Sequence, residues 1–162
     1  MKNKMFYLLI VLSSFLTSCS KETKEPIQEE NVEAGTAIGS IEAVKTSGSD
    51  GNYSFSVTIS SPDEGCNQYA DWWEVVSEDG TLLYRRILTH SHVNEQPFTR
   101  SGGPVNIPDS EKVIVRMHMN NTGYSINAMN GSVSEGWEKT ILSSDFATGL
   151  SKEAPLPSGC AF

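Results

Sequence analysis

WWEVVSEDGTLLYRRILT, residues 72–89, decides the fold. Two runs rich in aromatic and branched apolar side chains, 72–77 and 81–89, flank Glu78-Asp79-Gly80. An Asp-Gly pair between such runs is among the strongest short hairpin signals, because glycine accepts the positive φ that a tight turn demands. The stretch therefore predicts two antiparallel strands, 72–77 and 81–89. Successive side chains of a strand point to opposite faces, so only one of the adjacent tryptophans enters the core with Val75. That residue is Trp73, while Trp72 shares the other face with Glu74.

The same two-residue period runs outward from the hairpin. Tyr53, Phe55, Val57 and Ile59 alternate with Ser and Thr. In 111–120, Val113, Val115, Met117 and Met119 fall on one face, with Ile114, Arg116 and His118 on the other. Asn130-Gly131 reads as a second hairpin turn between strands 124–129 and 132–140. Ser101-Gly102-Gly103-Pro104 reads as a turn. From residue 37 onward no long stretch keeps a helical period. About seven short strands at spacings of about 8 to 12 residues predict an all-β, two-sheet sandwich of the immunoglobulin or fibronectin type III kind. A jelly roll or open barrel is the alternative, because the cysteines do not sit where two facing central strands would place them.

The opening residues have another character. Lys2 and Lys4 precede an apolar run over 5–16 that closes on Leu16-Thr17-Ser18-Cys19. That run is too short to span a bilayer and has the positive start and small-residue ending of a secretory leader. Leu16-Thr17-Ser18-Cys19 resembles the lipobox of bacterial lipoproteins. The resemblance implies removal of 1–18, thioether lipidation of Cys19 and acylation of its new amino group, a multi-chain anchor of the palmitate type. Residues 19–36 carry many charges, Pro26 and few large apolar groups, and read as a flexible acidic tether. Residues 37–162 then form one domain. The expected address is the cell envelope, at the outer membrane on its periplasmic face or at the cell surface.

The chain has a formal net charge of −8 and a pI near 4.8. An acidic surface lacks the basic stripe that nucleic acid and other anionic polymers require. With Cys19 taken by lipid, Cys66 and Cys160 remain. In an exported, oxidising setting two thiols imply one disulfide pinning the C-terminal tail, the alternative being two buried free thiols.

Two clusters invite a functional reading. His90-Ser91-His92 with Glu95 forms the first, and His118 joins it if strand 111–120 lies alongside. Three imidazoles and a carboxylate suit copper or zinc. The competing reading is hydrogen-bonded histidines near a strand end. The second cluster is a face of Trp72, Glu74, Tyr84, Arg86 and Arg116, aromatic and forked-donor chemistry that suits a protein or glycan partner. Its alternative is a solvated face of paired charges. No Gly-x-Ser-x-Gly elbow, phosphate-binding glycine loop or His-Glu-x-x-His is present, so the sequence supports a binding or structural module rather than an enzyme.

The segments 66–75, 85–86, 90–103 and 123–124 resemble the body of a family of exported bacterial proteins. That resemblance covers most of the domain and implies a single folded unit without assigning a role to any residue.

Overall fold

Alternation along the chain resolves into nine strands among residues 39–161, which are those described by the computed structural model. The leader 1–18, Cys19 and the tether 19–36 lie outside the described residues. The strands are β1 (Ser40–Ser49), β2 (Asn52–Ser60), β3 (Ala70–Ser77), β4 (Leu82–Ile87), β5 (Phe98–Val105), β6 (Val113–Met119), β7 (Gly123–Tyr124), β8 (Asn127–Ser132) and β9 (Gly136–Ile141). They form two antiparallel sheets. One has the order β1-β2-β5, and the other has the order β4-β3-β6-β8-β9 with β7 beside β6.

With β1, β2 and β5 lettered A, B and E, the second sheet begins C′, C, F, G, which is the strand arrangement of an immunoglobulin-type sandwich. The alternating rows meet where such a fold requires. Phe55, Val57 and Ile59 of β2 face Trp73 and Val75 of β3 and Val113, Val115, Met117 and Met119 of β6 across one shared core. Trp73 is fully buried there, and its ring lies 5.6 Å from that of Tyr84.

The Asp79-Gly80 turn forms as the sequence requires: Gly80 has φ +89° and its N–H donates to the Ser77 carbonyl. The register beyond it differs from the simple one. Val76 lies opposite Leu82 but Val75 lies opposite Tyr84, so Leu83 is an extra, bulged residue. One inserted residue carries every later side chain of β4 to the opposite face. Two other expectations are corrected. Asn130-Gly131 lies inside β8, paired with β6 and β9, and the β8–β9 connection falls at 133–135. Gly131 is needed for close approach, since a Cβ there would collide with the Gly136 carbonyl oxygen. Likewise Ser101-Gly102-Gly103-Pro104 belongs to β5, an edge strand on which proline removes no needed donor.

After β9 the chain turns back over the outer face of the larger sheet. This C-terminal strap includes a short 3₁₀ helix, Thr148–Lys152, whose Leu150 is buried. Cys160 then bonds to Cys66 with their Cα atoms 5.5 Å apart. Beside the disulfide, the Ala161 N–H donates to the Thr89 carbonyl.

Candidate functional site

The strap covers a buried ionic group centred on Glu74 of β3, whose register against β4 is set by a bulge in β4. The Leu83 bulge sets Arg85, rather than Tyr84, opposite Glu74. On the other flank Arg116 of β6 pairs with Glu74. Both guanidinium groups grip the one carboxylate, Arg85 at 2.6 Å and Arg116 at 2.7 Å, and all three side chains are buried. Their remaining N–H groups turn outward to the strap. Arg85 donates to the carbonyls of Leu150, Glu153 and Pro155, and Arg116 to those of Phe146 and Ala147. A buried cation pair with one anion is tolerable only when every donor is satisfied, and here the strap's backbone completes the set. Aromatic faces shield the cations further: Arg116 lies 3.6 Å from the Tyr124 ring centroid and Arg85 lies 4.5 Å from that of Trp72.

The second bulge lies between Ala70 and Trp72, where Asp71 is the unpaired residue opposite β6. Bulges re-aim side chains. The Asp71 carboxylate reaches His118 Nδ1 at 2.7 Å, and the His118 ring stacks on Trp72 with centroids 3.7 Å apart and planes 8° apart. Tyr124 meets the same imidazole edge to face at 4.8 Å. The carboxylate can accept the Nδ1–H of the imidazole, which leaves Nε2 as the ring's other nitrogen. Burial pushes the Asp71 carboxyl above its usual range, opposed by the His118 hydrogen bond and charge. Burial also pushes the Tyr124 phenol up to about 12, so the hydroxyl stays neutral. A cleft of about 360 Å³ opens here, lined by His118, Tyr124, Thr122 and, from the strap side, Ser144, Thr148 and Ser151. Three elements therefore supply it: β6 the imidazole, β7 the phenol ring and the strap the hydroxyls.

The expected exposed face of Trp72, Glu74, Tyr84, Arg86 and Arg116 does not exist as one surface. Trp72, Glu74 and Arg116 are buried beneath the strap. The bulge at Leu83 places Tyr84 opposite Val75 and Arg86 opposite Trp73, on the other side of the sheet. Arg86 is exposed there. Nor do the three histidines converge. His118 is held by Asp71 and Trp72, whereas His92 stacks on Phe98 at 3.8 Å with His90 beside it at 4.5 Å. Glu95 turns to Arg100, 2.6 Å away. Among the described residues no three His, Cys, Asp or Glu side chains are grouped to hold one ion. The sequence reading missed Arg85 as the partner of Glu74, Asp71 as the partner of His118 and the strap hydroxyls.

The site thus belongs to an immunoglobulin-type sandwich whose polar outer face is sealed by its own tail. No protein-family model matches the chain. Over 88 residues it is 39% identical to a Halomicrobium mukohataei protein named "Putative lipoprotein". The aligned stretch is 54% of this chain and 43% of that protein, so the match spans less than half of the relative's length. No solved structure matches. Among the described residues no helix is long and apolar enough to cross a membrane.

Proposed function

We propose that the protein is a lipid-anchored lipoprotein of the cell envelope whose sandwich is a binding module, with the His118 cleft as its ligand site. The anchor rests on Leu16-Thr17-Ser18-Cys19 behind a short basic and apolar leader, and the partial similarity to a protein named as a lipoprotein supports it. The outer membrane is the address this reading assigns.

One observation carries the binding reading: the buried Asp71 fixes the His118 ring, which lines a cleft together with the hydroxyl groups of Thr122, Ser144, Thr148 and Ser151. A preoriented imidazole beside several hydroxyls and an aromatic ring suits a neutral, polyhydroxylated ligand, since each group pairs with a ligand hydroxyl without importing charge. The acidic surface repels polyanions. The ligand class is therefore a neutral glycan. Binding of the full chain to a glycan array should fall at least tenfold, on the order of 1.4 kcal/mol, in His118→Ala and in Ser151→Ala. Glycan binding that survives both substitutions unchanged rejects the cleft as the site.

A further inference from the structure

The strap gives Ser144, Thr148 and Ser151 to the His118 cleft, yet it adds no strand to either sheet. Its place is set by side chains of the sheet instead. Arg116 takes the carbonyls of Phe146 and Ala147, and Arg85 takes that of Leu150. Thr148 and Ser151 each follow a gripped residue directly, so their hydroxyls stay in the cleft only while the strap stays down. Leu150 is the one buried side chain of the strap. Beyond Pro155 the run Leu156-Pro157-Ser158-Gly159 has no buried residue. The chain is fastened again at Cys160, by its bond to Cys66, and at Ala161, whose N–H donates to the Thr89 carbonyl. Both cysteines lie outside the strands and are partly exposed, so a thiol can reach the bond while the sandwich stays folded. Exposed disulfides are the labile and regulatory ones, whereas structural bonds of secreted proteins resist reduction.

We propose that the Cys66–Cys160 bond is a redox gate on the His118 cleft: oxidised, it keeps the strap's hydroxyls in the site, and reduction by a dithiol releases the strap and takes the site apart. The proposal rests on the reading of this cleft as a glycan site. One thiolate of the dithiol forms a mixed disulfide with one cysteine and expels the other. Its second thiol then displaces the first cysteine, so two electrons and two protons pass to the protein and the dithiol leaves as its own disulfide. The strap becomes an open chain end, and its contacts to Arg85, Arg116 and the core must now hold it against the conformational entropy of release. Affinity follows the docked fraction, because only the docked strap completes the cleft. A tenfold weaker apparent affinity corresponds to a docked fraction of about one tenth.

The test applies the full chain to an array of neutral oligosaccharides in three states: oxidised, reduced with dithiothreitol, and reoxidised. In the same samples the modification of His118 by diethylpyrocarbonate is followed by peptide mass, since that side chain is 12% exposed in the closed cleft. Array binding should fall at least tenfold on reduction and return on reoxidation, with the circular dichroism of the strands retained throughout. The double variant Cys66→Ser, Cys160→Ser should bind as the reduced protein does. His118 should be modified several-fold faster in the reduced form. Equal array binding in the oxidised and reduced states overturns the gate and leaves the glycan site standing. Absence of array binding in every state rejects the glycan site, and His118 then decides the gate: faster modification on reduction upholds strap release, and an unchanged rate overturns it.

Discussion

Arg85 holds the Glu74 carboxylate at 2.6 Å with neither side chain exposed to solvent. The contact joins two features far apart in the chain. It depends on the extra residue Leu83 for its register, and its unused N–H groups bind the strap around Leu150 and Pro155. The ion pair is therefore also the seat of the C-terminal tail. Replacing all three charges by apolar groups of like volume need not cost stability, but removing one partner strands the others.

Glu74→Ala leaves two buried guanidinium groups without their anion. The expected cost is about 3 to 5 kcal/mol, read by urea unfolding. A loss below about 1 kcal/mol, as exposed pairs give, contradicts the burial described here.

The Cys66–Cys160 bridge spans 94 residues. In the chain-entropy model a loop of that size contributes about 4 to 5 kcal/mol. The double variant Cys66→Ser, Cys160→Ser should melt lower than the oxidised wild type and match the reduced one. Hydrogen exchange over 146–161 should quicken first, since Leu150 is the one buried side chain of the strap and its other ties are the carbonyl contacts to Arg85 and Arg116. Equal melting with and without reductant excludes the bridge as a fastener.

Asp71 gives a pH signature. Burial raises its folded-state value above the ordinary 3.8, against the opposing pull of His118 and Arg85. The folded state then holds a proton that the unfolded state has released, so stability falls as pH rises from 3.8 through the raised value. Asp71→Asn lacks that loss. The stability of Asp71→Asn relative to wild type should therefore climb with pH across this window and level off above it. A difference that is flat there, or that declines, reverses the assignment.

The hairpin, the alternating rows and the shared core were legible because period-2 patterning and an Asp-Gly turn are local signals. Trp73 with Val75 and the Val113, Val115, Met117 and Met119 row lie where alternation puts them. Faces were lost wherever a bulge intervened. Leu83 looks like any strand residue, yet its insertion moves Tyr84 and Arg86 away from Glu74 and brings Arg85 to it. The strap was hidden for another reason. Its hold comes from backbone carbonyls taken by Arg85 and Arg116, and carbonyls carry no residue identity for a sequence to display. Gly131 shows the same limit, because an Asn-Gly pair that elsewhere makes a turn here serves close packing of strands.

The proposed function rests on tethering at Cys19, which would make the sandwich an envelope module rather than a free domain. Intact mass and amino-terminal peptide mass of the protein purified from membranes test it most directly. The account predicts a chain beginning at Cys19, its thiol carrying a diacylglyceryl group and its amine an acyl group. An unmodified Cys19 with residues 1–18 still attached contradicts it.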